Sequence, residues 1–332
     1  MARRLILAAI GCLLLSGCAV QRSLMASFAE QAIRLSGSKH NLSDSAKVYA
    51  ALGADSLRFK APARPGHGCR LETAQIRVGR NSYPLYRLHP RRVSSPEKVV
   101  LYLHGGAYVH EIISYQWKMV TDIAKRSGVE VYVPRYPLAP AHTFARTYEL
   151  LDELYSLLLT LYEPENIIFL GDSAGGGLAV AYCQTLVEKG VPLPGKLVLL
   201  SPWVDLTMST PGIGQFESSD PMLSRPGLLV YARAWAGEDY SAYSRPMEAD
   251  SKLRDPQLSP IYGEMRGLPQ THLFAGTREI LLPDALKFYS LLKDADVPSM
   301  LYLGHGCNHV YAAFPSKEGK TARKTIARLI AE

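Results

Sequence analysis

The sequence predicts an α/β fold in which a mostly parallel central sheet carries helices on both faces and a cap. Short, continuously apolar runs alternate with longer segments of helical periodicity along much of the chain. This alternation is typical of a parallel sheet that is covered on both sides. The segment 205–267 interrupts the alternation and is too long for an ordinary connection, so we expect it to fold over one edge of the sheet as a cap. The 332 residues are 47% hydrophobic, which excludes a disordered or collagen-like chain.

The predicted elements follow one another in a regular order. Residues 19–65 are predicted to be a spacer followed by short amphipathic helices, because apolar residues recur at helical spacing between Leu24 and Leu35. The predicted strands are Glu72–Val78, Tyr83–Leu88, Val99–Leu103, Val129–Val133, Ile167–Leu170, Lys196–Leu200, Thr271–Ala275 and Met300–Leu303. The predicted helices of the main domain are Gln116–Arg126, Arg146–Leu161, Ala174–Glu188, Pro283–Lys293 and Ala322–Ala331. The main domain therefore spans residues 66–332, with the cap inserted at about 205–267.

The first residues of the chain have the pattern of an export signal. Arg3 and Arg4 precede an apolar run, Leu5–Leu15, that is too short to span a bilayer. The sequence Leu15-Ser-Gly-Cys18 resembles the lipobox of bacterial lipoproteins, which implies removal of residues 1–17 and attachment of a lipid to Cys18. An ordinary signal peptide with an incidental cysteine is the alternative. Residues 18–65 would then be a lipidated spacer with N-terminal cap helices.

The lipobox predicts a membrane partner through the lipid anchor and a place in the bacterial cell envelope. Ala19 is not an inner-membrane retention signal, so the outer membrane, facing the periplasm, is expected if the cell is Gram-negative. The net charge of +7 does not indicate nucleic-acid binding, because Lys and Arg never form a run of five. A homodimer is left open, as is a disulfide between Cys69 and Cys307.

Ser173 is the candidate nucleophile. It lies in Gly171-Asp-Ser-Ala-Gly175, directly after the strand Ile167–Leu170 and at the start of a helix, which is the context of a nucleophile elbow. The small flanking residues allow strand and helix to approach closely. The helix N-terminus also favours negative charge that develops near the serine.

Backbone amides for an oxyanion hole are predicted in two places. Gly105 and Gly106 follow the strand Val99–Leu103 and expose their amides without a side chain in the way. Ala174, the residue after the nucleophile, is expected to contribute the third amide.

His309 is the candidate general base. It lies in Gly304-His-Gly-Cys-Asn-His-Val-Tyr311, in the loop after the last predicted strand, from which a base can reach the serine. His305 is its rival. A zinc pair formed by these two histidines is disfavoured, because Gly306 and Asn308 make a helix improbable there. We expect neither a metal nor another cofactor.

Five segments together carry a resemblance to a known family. In chain order they are His104-Gly-Gly-Ala-Tyr108, Tyr136-Pro-Leu-Ala-Pro140, Gly171-Asp-Ser-Ala-Gly175, Ser201-Pro-Trp-Val-Asp205 and Asn308-His-Val-Tyr311. They resemble the signature set of the hormone-sensitive-lipase-like α/β-hydrolases, the bacterial family IV esterases, over about residues 70–330. The resemblance implies an α/β-hydrolase fold and hydrolysis of carboxylic esters. It also implies that Ser173 is the nucleophile, that His309 is the base and that the cap includes the N-terminal helices.

The acid that completes the triad follows from this resemblance. The family places it in the loop after the strand predicted at Thr271–Ala275, which leaves Glu279 and Asp284. Alignment with the family's Asp-Pro-Leu pattern puts Glu279 on the acid position, and Asp284 is the alternative. As a structural explanation, Asp284 would be a negative charge near a helix N-terminus.

The predicted function is a serine carboxylic-ester hydrolase that acts on short to medium acyl esters through an acyl-enzyme. A small-molecule ester is therefore the expected substrate. Two alternatives stay open: an amidase or peptidase on the same scaffold, and a catalytically silent binding protein at the envelope.

Overall fold

The computed structural model describes residues 22–53, 68–242 and 252–332. The predicted signal segment 1–17 and Cys18 lie outside these residues, as do residues 19–21 and 54–65 of the predicted spacer. Within the described ranges, no helix combines the length and the apolar character that a membrane span requires.

An eight-stranded sheet forms the centre of the molecule, in the order β1-β2-β4-β3-β5-β6-β7-β8. The strands are β1 (Cys69–Val78), β2 (Asn81–Pro90), β3 (Val99–Leu103), β4 (Glu130–Pro134), β5 (Ile167–Asp172), β6 (Lys196–Leu200), β7 (Gln270–Gly276) and β8 (Ser299–Gly304). The hairpin β1–β2 is antiparallel, and β2 joins β4 in an antiparallel pair. All remaining pairs are parallel. The prediction of a mostly parallel sheet is therefore confirmed.

Helices cover both faces of the sheet. Within the described residues, the helices are α1 (Leu24–Leu35), α2 (Ser38–Leu42), α3 (Ser45–Gly53), α4 (Ser114–Ser127), α5 (Phe144–Leu161), α6 (Ala174–Lys189), α7 (Ile213–Glu217), α8 (Arg225–Ala236), α9 (Leu282–Asp294) and α10 (Lys317–Ala331).

Two separate hydrophobic clusters form because side chains alternate between the faces of each strand. Val100 and Tyr102 of β3 pack in the cluster that α4 and α10 complete. Leu101 of the same strand packs with α5, α6 and α9 on the opposite face. The strands β3 and β5 are buried along their whole length, which fixes the position of the loops that follow them.

The N-terminal helices and the region 205–267 meet above the carboxyl ends of the strands. Gly227, in α8, lies so close to Leu42 of α2 that an added Cβ would meet the leucine side chain at 2.3 Å. Residues of both regions line one cavity, which the next section describes. The division of the chain into cap and main domain stays a prediction.

Candidate active site

Ser173 occupies the sharp turn between β5 and α6. Its backbone has φ 52° and ψ −122°, a conformation that non-glycine residues rarely adopt. The turn persists because its amide donates to Leu200 O at 2.8 Å and its carbonyl accepts from the Trp203 amide at 2.9 Å. An added Cβ on Gly175 would lie 2.0 Å from Leu103 O, so the close approach of helix and strand requires glycine there.

The structure brings the predicted base and acid into contact with this serine. His309 Nε2 lies 2.9 Å from Ser173 Oγ, and His309 Nδ1 lies 2.9 Å from Glu279 Oε2. Because a carboxylate only accepts, Nδ1–H donates to Glu279, which leaves the Nε2 lone pair to accept the serine hydroxyl proton. Glu279 Oε1 in turn accepts from the Gly276 amide at 3.2 Å. Nucleophile, base and carboxylate therefore form one continuous hydrogen-bonded chain.

Two loops carry the base and the acid into position. Glu279 follows β7 and is fully buried, whereas His309 follows β8 and is 3% exposed. The His309 loop is tied to the sheet by its neighbour Val310, whose amide donates to Ser201 Oγ at 3.0 Å. The rival His305 is not part of the hydrogen-bonded chain.

Burial and charge act in opposite directions on the His309 imidazole. Burial lowers the pKa of His309, but the hydrogen bond and the negative charge of Glu279 outweigh it, with smaller contributions from Asp220 and Asp172. The net result is a raised pKa. A proton that reaches this ring is therefore stabilised by the carboxylate beside it.

Asp284 lies in the first turn of α9, fully buried and away from the imidazole. Neither of its carboxylate oxygens accepts a well-formed hydrogen bond. Burial, and then the charge of Asp205, raise the pKa of Asp284 to about 8, although the nearby Thr210 hydroxyl and the charge of Lys287 lower it to a small extent. Asp284 thus lies near a helix N-terminus as expected, but its surroundings raise its pKa and so favour the protonated form over the expected anion.

One predicted oxyanion donor needs correction. The amide of Gly105 donates to Asp172 Oδ1 at 3.0 Å, so it already has an acceptor. Gly106 and Ala107 line the cavity beside Ser173, whereas Gly105 does not. In the described part of the chain, the amides of Gly106, Ala107 and Ala174 donate to no protein acceptor. Ala107 is thus a candidate oxyanion donor that was not predicted, because the sequence drew attention to Gly105 and Gly106. Its φ of 53° is a backbone conformation that favours glycine.

Asp172 is a second residue that sequence reasoning missed. It is 2% exposed and accepts from the Tyr102 hydroxyl at 2.5 Å and the Gln116 side chain at 2.9 Å, besides the Gly105 amide. It therefore connects the strand that carries the nucleophile to the loop that carries the oxyanion donors. The only feature of the sequence that could have indicated this role is the position of a charged residue directly before the nucleophile.

A cavity of about 1020 Å³ opens next to Ser173 and His309. Its walls come from four parts of the chain: the N-terminal helices, the loop before α4 with the first turn of that helix, the region around α8, and the segment 309–315 after β8. Apolar side chains dominate, among them Phe28, Ile33, Leu223, Leu228 and Phe314. Cavities of this kind are suited to an apolar ligand whose one polar group meets the few polar groups in the wall.

No group of three or more His, Cys, Asp or Glu side chains in residues 22–53, 68–242 and 252–332 is placed to hold a metal ion. That the chemistry needs no cofactor stays a prediction. The arrangement itself supplies a hydroxyl, an acceptor for its proton and free amides, which are the groups needed for acyl transfer.

Comparison with known proteins agrees with the fold and with a hydrolase activity. A family model described as the alpha/beta hydrolase fold matches residues 100–313. An esterase from Acinetobacter venetianus is 30% identical over 237 residues, which are 70% of this chain and 75% of that protein. A triacylglycerol lipase from Mycobacterium tuberculosis is 31% identical over 188 residues, which are 56% of this chain and 36% of that protein. The crystal structure of an esterase from the bacterial hormone-sensitive lipase family matches with a TM-score of 0.75 and 27% identity, and the match covers 94% of this chain and 99% of that one. This chain therefore belongs to the α/β-hydrolase family, among the hormone-sensitive-lipase-like members, and is a carboxylesterase- or lipase-like hydrolase.

Proposed function

We propose that this protein hydrolyses short- to medium-chain carboxylic esters with Ser173 as nucleophile, at a bacterial cell envelope to which a lipid on Cys18 anchors it. The observation that carries the catalytic part is the chain of two 2.9 Å contacts from Ser173 through His309 to Glu279. A serine hydroxyl is a weak nucleophile until a base accepts its proton, and here the base is oriented by a buried carboxylate.

In the first half-reaction, Ser173 Oγ attacks the ester carbonyl while its proton moves to His309 Nε2. The imidazolium is stabilised by Glu279, which keeps its charge throughout. The carbonyl oxygen becomes an oxyanion, and the free amides of Gly106, Ala107 and Ala174 are the donors available to it. His309 then gives the proton to the leaving alcohol, and an acyl-enzyme remains.

In the second half-reaction, water replaces the alcohol. His309 takes a proton from the water, the hydroxyl attacks the acyl-enzyme, and the proton returns to Ser173 as the carboxylic acid leaves. Asp172 acts through the loop that it holds, since it touches Gly105 and not the reacting atoms.

The experiment that tests this function is a comparison of p-nitrophenyl esters of increasing acyl length with the matching anilides. We expect turnover of the esters, with a maximum at short to medium chains, and loss of several orders of magnitude in Ser173→Ala. Equal turnover of the anilides would indicate an amidase or peptidase. No turnover of either series by folded protein would favour the binding protein. A separate assay on triacylglycerols of increasing chain length tests the chain-length preference, and best turnover of the long-chain ones would contradict it.

The anchor is proposed on the lipobox-like Leu15-Ser-Gly-Cys18 alone. Metabolic labelling with an alkyne fatty acid tests it: the wild-type protein should be tagged and Cys18→Ser should not. Several acyl chains on one cysteine would hold the protein stably at a membrane, where a single chain gives only reversible binding. Labelling of both proteins, or of neither, would contradict the anchor.

A further inference from the structure

Helix α1 carries an apolar face that the rest of the described protein leaves open. Leu24, Leu35, Phe28 and Met25 are 78, 86, 68 and 53% exposed, respectively. At 100° per residue these four side chains fall within an arc of about 100° on the helix. Exposed apolar patches of this kind mark interaction surfaces, because single exposed apolar residues are ordinary but clustered ones are not.

The polar face of the same helix is turned inward and fixed. Glu30 is 4% exposed and pairs with Arg22, Arg34 and Arg278. Burial raises the pKa of Glu30, but its hydrogen bonds from Arg22 and Arg34 and the charge of Arg278 outweigh this and lower it. Ser23, the N-cap of the helix, donates to Glu318 through both its amide and its hydroxyl, each at 2.6 Å. These contacts determine which face of α1 points outward.

The open apolar face is continuous with the mouth of the catalytic cavity. Met25 and Phe28 line that cavity, and so do Ile113, directly before α4, and Tyr115, in the first turn of α4, which are 54 and 48% exposed. We call these four residues, with Leu24 and Leu35, the apolar rim. The polarity of the surface around the entrance to an active site influences whether substrate enters from water or from a membrane.

We propose that the apolar rim inserts into the surface of a lipid bilayer, so that the cavity mouth faces the membrane and takes ester substrates from it. This rests on the proposed function, both for the ester substrate and for the lipid on Cys18. It goes beyond the anchor, because a lipid on Cys18 alone does not determine which side of the enzyme faces the membrane.

Two features of the chain favour a bilayer as the partner. Cys18 precedes Leu24 by only six residues, a stretch that spans at most about 20 Å, so a lipid on Cys18 would hold α1 close to the headgroups. Residues 22–53 contain four Lys or Arg and two Asp or Glu, a small positive excess that is compatible with anionic lipids, although Arg22 and Arg34 already pair with Glu30. A helix with one exposed apolar face is suited to lie in the plane of the interface.

The test uses the lipid-anchored protein in vesicles of phosphatidylethanolamine and phosphatidylglycerol. The vesicles carry a fluorogenic decanoate ester that partitions into the bilayer, and p-nitrophenyl acetate serves as the water-soluble substrate. The variant is Leu24→Asp with Leu35→Asp, since neither side chain lines the cavity. Its matched control is Leu161→Asp, at an exposed leucine at the end of α5, outside the rim.

We expect the double variant to lose about fivefold or more of its turnover of the bilayer ester and to keep its turnover of the soluble ester. The control should keep both activities. Undiminished turnover of the bilayer ester by the double variant would overturn the proposal. Absence of turnover of both substrates in the wild type would instead contradict the proposed function.

A second measurement locates the rim directly. An environment-sensitive fluorophore on Leu35→Cys should be quenched by doxyl-labelled lipid, and the same fluorophore on Leu161→Cys should not. Equal quenching at both positions, or none at Leu35→Cys, would overturn the proposal. So would a dimer that becomes a monomer in the double variant, because the rim would then be covered by a second copy of the chain.

Discussion

At the residue scale, Glu279 and Asp284 are two buried carboxyl groups with opposite surroundings. Glu279 has a hydrogen-bonding histidine on one oxygen and a backbone amide on the other. Asp284 accepts no well-formed hydrogen bond on either oxygen, and burial and the negative charge of Asp205 outweigh the small opposing effects of Thr210 and Lys287 on its pKa. A carboxylate that must stay charged to orient an imidazole needs hydrogen-bond donors, as Glu279 has, and is disfavoured in surroundings like those of Asp284.

We therefore expect Glu279→Gln to lower kcat by about 10² to 10⁴-fold with a small change in KM, because it removes the charge that stabilises the imidazolium. Asp284→Asn should keep kcat close to that of the wild type. Steady-state kinetics on a soluble p-nitrophenyl ester measures both. If the loss of kcat appeared in Asp284→Asn instead, the acid would be Asp284.

Asp284 should also make stability depend on pH. Burial and Asp205 raise its pKa from 3.8 to about 8, so in this window the folded protein holds a proton that the unfolded chain has released. Stability then falls as the pH rises from 4 towards 8 and levels off above that. Asp284→Asn removes this dependence, and its gain in the free energy of unfolding over wild type should reach a few kcal/mol at pH 8.

Urea titrations at pH 5, 6.5 and 8 measure this gain. Asp294→Asn is the control, because Asp294 is exposed on the same helix. A wild-type stability that did not fall relative to Asp284→Asn across this range would contradict the assignment.

The sequence predicted the residues whose side chains take part in the chemistry better than the residues that contribute only a backbone amide. Ser173 and His309 could be predicted from the nucleophile elbow and the order of serine, acid and histidine, whereas Glu279 followed from the family resemblance, which places the acid in the loop after β7. The orientation of the Gly105 amide could not, because it depends on Asp172, a contact 67 residues away in the chain. For the same reason the free amide of Ala107 could not be predicted as an oxyanion donor.

At the element scale, the central strands were predictable because each is a short, mostly apolar run, and β1 and β2 because a Gly79-Arg-Asn-Ser82 turn separates two strand-like segments. Helix α10 shows the limit: it was expected from Ala322 but begins at Lys317, after the N-cap Ser316. Its first residues are polar and contain a glycine, so periodicity alone does not reveal them. The order of the strands was not predicted either, since an apolar run carries no information about which neighbour it will pair with.

Helix α1 shows how one element connects distant parts of the site. Arg22 pairs with Glu30 and also donates to Gly306 O in the His309 loop at 3.2 Å, while Arg278 adjoins Glu279 in sequence. Glu30→Ala leaves Arg22, Arg34 and Arg278 without their shared acceptor, which costs about 1–3 kcal/mol locally. We expect faster amide hydrogen exchange across 24–35 and a lower kcat/KM on a soluble ester.

Hydrogen exchange measured by mass spectrometry tests this effect. The matched control is Asp44→Ala, an exposed carboxylate beside α3 that pairs with Lys47. Equal exchange in α1 for Glu30→Ala and the control would show that the ion cluster does not hold the helix.

At the scale of the whole molecule, the sheet order separates the two cysteines whose pairing was left open. Cys69 begins β1 at one edge of the sheet, and Cys307 follows β8 at the other edge. Both are free thiols, as is Cys183. Burial raises the pKa of Cys307 to about 12 and also raises that of the half-buried Cys69.

We expect these three residues to be alkylated by iodoacetamide in denatured protein without any reductant, and only slowly in folded protein, because the thiolate is the reactive form. Peptide mass spectrometry reads out each site. A disulfide-linked Cys69–Cys307 peptide in the unreduced sample would contradict this prediction.

The apolar rim has a practical consequence for any kinetic study of this enzyme. Under the proposed lipid anchor the protein would need a detergent in solution, and that detergent would bind to the apolar surface next to the cavity mouth, where Phe28 and Tyr115 are exposed. Detergent monomers would then compete with substrate for the entrance, so the apparent KM would rise with detergent concentration up to the critical micelle concentration and change little above it. Apparent KM values measured in different detergents would therefore differ even for the same ester.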